Sequence, residues 1–595
     1  AKDENKVARL DQQQYDKQQT TSSFDGKLIF EPIKDLKGSV FVSYTRDDYK
    51  ERRFYDVDSR ISYNSYNSGG YAWKKSYMKT TRTLEPTIEY TKTFLDNHKI
   101  NAIAGYSYQY QVYEQLEANN NGFLNNSVED NNLGSGSGLN GDAAIKAGMG
   151  SKKADETLIA FFGRINYVFK DRYVAQFSIR REGSSKFGPN NKWGNFPSAS
   201  VAWNVSNEEF MKEQNVLSNL KLRVGYGVTG NNDFDAAYMA NTLGSDAYWM
   251  LPNGNWAYTY GPSSNVNPYL GWEEKKEWNI GVDYTFFGNR LYGKFDYYRR
   301  KIDGMIYEVN VPQPPYPNGK QWQNVGEMES KGWEFEIGGD VIRNKDFTWT
   351  SNLNMSHNSG KILTLWGEDT HLSGNTFAYP GHPGDAARIE SGAKIGSFHM
   401  WKFAGFDEKG DFLLYNKDGE VIPAAEKTDN DKQYIGNYLP KVMMGWNNTF
   451  TYKNFDLGIN MRSWIGFDVY NTYPMYLGIQ GANGAGQWNL WKPAVNDEKY
   501  NKIRGVRQLC DFYLEDGSFL KIDAITLGYT LSLSKYTKWA DRLRVYGTVG
   551  NVATISGYSG HNPEVDVTGW EGGTDKVWNS DPIVRTYTLG IQVSF

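Results

Sequence analysis

Six histidines (His98, His357, His371, His382, His399 and His561) and one cysteine, Cys510, are the side chains of this sequence best suited to bind a metal or attack an electrophile. Their spacing supports neither role. No HExxH pair or other close ligand spacing joins the histidines, no Gly-x-Ser-x-Gly elbow presents a serine, and a lone cysteine excludes an intrachain disulfide framework and any multi-cysteine zinc site. The adjacent acids Asp47-Asp48 and Glu273-Glu274 imitate the paired carboxylates of a glycosidase, but toward the loop side of a barrel solvated charge is the ordinary explanation. Gly136-Ser-Gly-Leu-Asn-Gly141 matches the dinucleotide fingerprint in form only: no strand leads into it and no helix follows, so nothing would cradle a pyrophosphate. A formal net charge of -4, with Lys/Arg mixed among Asp/Glu, leaves no basic footprint for nucleic acid. The expectation is no catalysis, no metal and no cofactor.

Binding chemistry is better provided for. Trp249, Trp256, Tyr258 and Tyr260 cluster in one long polar excursion and Trp488 and Trp491 in another, with Trp366, Tyr379, Trp570 and Trp578 elsewhere. Aromatic faces stack on the apolar faces of sugars and need little conformational ordering, which suits oligosaccharide capture; the competing reading is that they pack loop against loop or against a partner. Arg164, Arg180, Arg223 and Arg544 are read as lining an interior, not as ligand contacts.

The elements that would position these residues are strands. From Gly163 to Val205 the chain reads as a hairpin, a glycine-rich reversal and a third strand: Ile165, Tyr167 and Phe169 alternate with polar neighbours, as do Tyr173, Ala175, Phe177 and Ile179. With Lys170-Asp-Arg172 as the turn, Phe169 falls opposite Tyr173, Tyr167 opposite Ala175 and Ile165 opposite Phe177, which puts every apolar residue on one face. The pattern recurs. Ile88, Tyr90 and Phe94 lead into Ile100–Tyr110; Phe286 falls opposite Leu291; Trp333, Phe335 and Ile337 pair with Phe347, Trp349 and Leu353; Trp446, Phe450 and Tyr452 pair with Phe455–Met461; Ile525–Leu531 leads to Leu543 and Val545. Gly26–Ile33 and Gly38–Tyr49 form a less regular first pair, and residues 1–22, without periodicity, read as a hydrophilic extracellular loop preceding a barrel domain over 23–595.

Aromatics make up 15% of the 595 residues, hydrophobic residues only 39%, and no apolar run approaches the roughly 18 residues that a membrane helix needs. Short hairpin turns alternate with long excursions, about 50–80, 111–157, 229–276, 303–330, 360–439, 466–517 and 551–582. That asymmetry is the mark of an outer-membrane barrel with periplasmic turns and extracellular loops, and there is no fixed repeat period such as a propeller or β-helix would show. The fold expected is therefore all-β: a transmembrane antiparallel β-barrel of about 17 strands. Apolar positions such as Tyr167, Phe177, Tyr284, Phe295, Trp349, Phe450, Leu457, Ile591 and Val593 would face lipid. Parity requires residues 360–439, despite strand-like Phe398–Phe406, to be a single excursion. The closing run, Tyr587, Leu589, Ile591, Val593 and Phe595, alternates without fault and would end in the periplasm.

Several segments, in order along nearly the whole chain, resemble the SusC/RagA-type TonB-dependent transporters of Bacteroidetes. They include Gly163-Arg-Ile-Asn-Tyr167, Lys170-Asp-Arg-Tyr173, Arg181-Glu-Gly-Ser-Ser185, Phe187-Gly-Pro-Asn-Asn191, Val224-Gly-Tyr-Gly-Val-Thr-Gly-Asn231, Asn324-Val-Gly-Glu-Met328, Leu514-Glu-Asp-Gly-Ser-Phe519 and Tyr558-Ser-Gly560 with Asn562-Pro-Glu564. The resemblance implies a plugged barrel of about 22 strands, of which this chain would supply the C-terminal 17 or so and would not close alone. Nothing before Ser23 resembles the family's plug or TonB box. It further implies TonB-energised import of a large nutrient, with glycan oligosaccharides as the first expectation. A SusD-like lipoprotein lid at the mouth and a dimer of transporter–lid pairs are implied as well, and Phe595 resembles the terminal assembly signal of outer-membrane barrels. A RagA-type peptide importer, or a non-transporting surface scaffold or adhesin, are the alternatives.

Overall fold

The hairpin at 163–179 forms with the register its alternation dictates: Ile165 faces Phe177, Tyr167 faces Ala175 and Phe169 faces Tyr173. Its turn residues Lys170 and Asp171 sit at φ near +53°, and Leu95, Asp96, Phe287, Gly288, Asn289 and Lys453 in three other short turns are also left-handed, the twist that joins tight antiparallel strands. The computed structural model describes residues 6–66, 69–139, 148–234, 243–365, 372–377, 384–479, 490–534, 537–569, 572–576 and 583–595.

Seventeen strands make one antiparallel sheet. They are β1 Gln13–Ile33, β2 Leu36–Tyr55, β3 Tyr71–Phe94, β4 His98–Asn121, β5 Gly148–Phe169, β6 Tyr173–Ser184, β7 Trp193–Asn204, β8 Leu217–Asn231 and β9 Glu273–Phe286. The rest are β10 Leu291–Asp303, β11 Glu327–Arg343, β12 Phe347–Thr364, β13 Val442–Tyr452, β14 Phe455–Ile465, β15 Phe519–Ser532, β16 Arg542–Ser556 and β17 Thr586–Ser594. Each pairs with its sequence neighbour, so the sheet is a pure meander. Among the described residues β1 pairs only with β2 and β17 only with β16, which leaves the sheet open, as expected for a part of a larger barrel. Phe286 lies opposite Leu291, Ile337 opposite Leu353, Phe450 opposite Leu457, and Val545 opposite Ile591, which puts the whole expected apolar set on one face.

Connections alternate between a short-turn side and a long-loop side, with one exception in length: the link 185–192 on the long-loop side is shorter than 205–216 on the short-turn side. The segment 365–441 is one excursion among the described residues: its short strands there, including Ser397–Met400 and Lys402–Phe406, join small separate sheets and not the seventeen-stranded one. Two expectations fail at the start of the chain. Within the expected loop 1–22, Lys6–Gln12 is helical and Gln13–Ser22 is the first half of β1, in unbroken register from Gln13 opposite Tyr55 to Phe30 opposite Gly38. Strands β2 to β5 likewise run well into segments read as loops. The reason is physical: a strand standing in water on both sides needs no apolar alternation, so its ladder is invisible to a hydrophobicity pattern.

Candidate functional site

The face opposite the apolar one is held by charge. Arg223 on β8 donates from Nε and Nη2 to Asp283 on β9, both at 2.9 Å, and reaches Asp296 on β10 at 3.1 Å. Arg544 on β16 grips Asp456 on β14 in the same two-pronged way. In each case a glycine on the strand between makes room: a Cβ at Gly281 would lie 2.6 Å from the Arg223 guanidinium, and one at Gly528 would lie 2.6 Å from that of Arg544. Arg180 pairs with Glu182 on the same face. Higher on this face Arg462 binds Asp523 at 3.1 Å and, with Lys521, binds Glu564 from the last long loop at 2.8 and 3.0 Å. A loop therefore folds over the polar face, which marks it as the interior side.

The long loops between β12 and β15 build a core of their own. Phe398, Met400, Phe412, Leu414, Tyr470, Met475, Leu509, Cys510 and Tyr513 are buried together, and Tyr438 closes over Gly573 from the last loop. Cys510 is fully buried in this core, and burial pushes its thiol up, away from the thiolate form. Burial also raises Asp468 and Asp511, each of which accepts a backbone N–H, from Asn437 at 2.8 Å and from Phe403 at 2.6 Å. Asp575 accepts the Tyr558 hydroxyl at 2.9 Å and the His561 N–H at 3.0 Å, which pins the Asn562-Pro-Glu564 turn.

The sequence-picked aromatics divide. Trp249, Trp256 and Tyr260 sit on a hairpin, Leu243–Met250 with Trp256–Pro262, and are 69%, 66% and 71% exposed. They do not form one platform, because Met250 pairs with Trp256 and Trp249 with Ala257, so the two indoles leave opposite faces. Trp491 is structural, packed edge-on to Tyr500 at 4.9 Å beside the loop core. Trp366, Tyr379, Trp488, Trp570 and Trp578 lie outside the described residues, as does the side chain of Tyr258. The acid pairs fail as catalytic dyads: Asp47-Asp48 lies in β2 and Glu273-Glu274 in β9, not in loops, and neighbours in a strand point to opposite faces. Among the described residues no three His, Cys, Asp or Glu gather as a metal site.

Sequence reading missed one aromatic group. In the upper halves of β1–β5 the interior face carries Tyr15, Tyr49, Tyr55, Tyr71, Trp73, Tyr77 and Tyr113. Tyr49 and Tyr77 lie 5.5 Å apart, Tyr77 and Tyr113 6.1 Å, and Arg53 lies 5.0 Å from the rings of both Tyr15 and Trp73. Only the every-second-residue spacing of Tyr71, Trp73 and Tyr77 signals it, and that is hidden once the segment is taken for a loop.

A family model described as TonB dependent receptor-like, beta-barrel, matches residues 2–552. The chain belongs to that family. As a TonB-dependent receptor barrel it crosses an outer membrane with its apolar face toward lipid. Two grooves on that face, about 530 Å³ beside Gly338 and Gly339 and about 470 Å³ over Ala102, Ala104 and Gly163, are gaps above small residues that hydrocarbon can fill. Among relatives, TonB-dependent receptor P3 of Formosa agariphila is 31% identical over 87% of this chain and 53% of its own length. TonB-dependent receptor SusC of Bacteroides thetaiotaomicron is 31% identical over 74% and 44%. The structure of the RagAB peptide transporter superposes with a TM-score of 0.81 at 24% identity, covering 98% of this chain and 63% of that one, a likeness of fold. The chain spans about half the length of the curated relatives it matches. Phe595 follows β17 directly and is 91% exposed.

Proposed function

We propose that this chain is the barrel part of an importer for large nutrient molecules, glycan oligosaccharides first, energised through TonB and working with a SusD-like lipoprotein on its long-loop side. In this reading the long loops are extracellular, the short turns and Phe595 periplasmic, and the protein transports without catalysing a reaction. The name of the SusC relative supports the choice of branch. The observation that carries it is the hairpin bearing Trp249 and Trp256: two large rings about two-thirds exposed on opposite faces of a two-stranded element, the size at which a hairpin is marginal in water by itself. A covering lid buries such rings at about 25 cal/mol per Å² of apolar surface.

The test is purification of the intact receptor from outer membranes in mild detergent, native and with Trp249→Ala/Trp256→Ala. The reading predicts a second, extracellular lipoprotein with the native receptor and its loss, or loss of oligomer uptake, from the variant, with barrel assembly unchanged. A native receptor without any second subunit, and with uptake indifferent to both changes, favours a surface scaffold instead. Peptide import is the rival within transport, separated by which solute accumulates in cells.

A further inference from the structure

Strands β1–β5 are 20 to 24 residues long, about twice the 9–11 that cross a bilayer, so their upper halves stand clear of the membrane on the long-loop side. Within the membrane zone the outward face is apolar and the interior face polar. Above it the two faces change character. The outward face of the upper halves carries ion pairs, Arg46 with Asp48 at 2.8 Å, Arg52 and Lys74 each with Asp130 at 3.1 Å, and Lys153 with Glu114, beside a few apolar side chains such as Leu116 and Met149. The interior face carries the seven rings named above, interleaved with Gln19, Gln111, Gln115 and Asn119. Lipid does not explain rings on the interior side, and none of the seven belongs to the loop core: Tyr15 is 55% exposed, and the other six are half-buried, Tyr71 stacked on Tyr66 of the β2–β3 connection at 4.6 Å.

We propose that the interior face of the upper β1–β5 is a binding wall for a neutral oligosaccharide, an inference that rests on the import reading above. Three features choose this occupant. The wall continues the interior face of the barrel in unbroken alternation, so a solute passing from the long-loop side to the interior passes along it. Its rings and carboxamides match a sugar's C–H face and its hydroxyls, which ask for donors and acceptors together. Its cations are matched by carboxylates and rings on the same face: Lys17 lies 3.7 Å from Glu51 and over Tyr49 at 5.1 Å, Lys152 lies over Tyr113 at 5.5 Å, Arg53 lies between two rings, and Lys75 and Lys79 stand across the ladder from Glu51 and Asp47, so the face carries both signs of charge and no one-signed cluster to draw an acidic ligand.

The experiment is calorimetric titration of the intact purified receptor complex with gluco-, manno- and xylo-hexaoses, hexagalacturonate and a mixed tryptic peptide pool. The receptors compared are native, Tyr77→Thr/Tyr113→Thr and Tyr77→Phe/Tyr113→Phe. Threonine keeps a strand-forming side chain, and heat-modifiable mobility on gels reports assembly of each variant. Expected are binding of at least one neutral hexaose, weakening of about tenfold or more in the threonine variant, and retention within about threefold in the phenylalanine variant. A neutral hexaose bound equally well by the threonine variant overturns the wall while leaving glycan import standing. Binding of only the acidic sugar or the peptides overturns both the wall's ligand class and the glycan reading.

Discussion

At the scale of single residues, buried carboxylates in the loop core carry a consequence for pH. Asp468 is raised chiefly by desolvation, with Asp516 adding to the effect and the Asn437 N–H and Lys441 opposing it. A folded-state pKa above the unfolded one means the folded loops hold that proton more tightly. The stability Asp468 contributes is therefore complete below the ordinary carboxylate range and drains away as pH rises through the raised value, which makes its charge a cost at neutral pH. Asp468→Asn keeps an acceptor for the Asn437 N–H and removes the charge. The loops of this variant are expected to resist proteolysis at neutral pH at least as well as the native ones, with a flatter dependence as pH rises above the ordinary carboxylate range. Faster cleavage at neutral pH would show the carboxylate itself to be needed. Asp431 runs the other way: the Thr428 hydroxyl and the backbone N–H groups of Lys417 and Thr428 hold it below its usual range, so its contribution fades only in strong acid.

At the scale of elements, the two faces of the sheet obey different rules. Phe177 and Ile591 lie on the lipid face, 52% and 69% exposed without lipid, and an arginine at either position near the bilayer midplane is expected to cost about 2–4 kcal/mol. A urea titration of the barrel in lipid vesicles measures it, and an unmoved midpoint would put that strand in the opposite register. Phe595→Ser is expected to lower the amount of assembled receptor in outer-membrane fractions while leaving uptake per assembled molecule unchanged; equal yield would remove its role in assembly.

Strand registers were legible in the sequence wherever one face meets lipid, because period-two alternation leaves one solution at Ile165–Phe177 or Phe450–Leu457. The parity of turns also made 360–439 one excursion, and the structure has one there, over 365–441. Gln13–Ser22 was not legible, since both faces of that half-strand are polar and only the partner strand's backbone gives it order. Of the site, the exposure of Trp249 and Trp256 followed from their loop setting, but their opposite facing depends on the pairing of Met250 with Trp256, which no spacing in the sequence reveals. Trp491 looked the same as they do and is packed instead against Tyr500.

At the scale of the whole molecule, the parts fit one task. A lipid-facing apolar skin fixes the sheet in the membrane, arginine–carboxylate clasps between strands stiffen the interior face, a self-contained loop core roofs one part of the long-loop side, and tall strands with interior rings wall another. Capture on the long-loop side followed by passage inward is the function we propose for this arrangement. The most direct test is uptake of labelled neutral oligosaccharides by cells carrying the intact gene, cells lacking it, and cells lacking TonB. The expected result is accumulation of at least one neutral oligosaccharide in the first cells only. Equal accumulation in all three, or loss confined to labelled peptides, would contradict it.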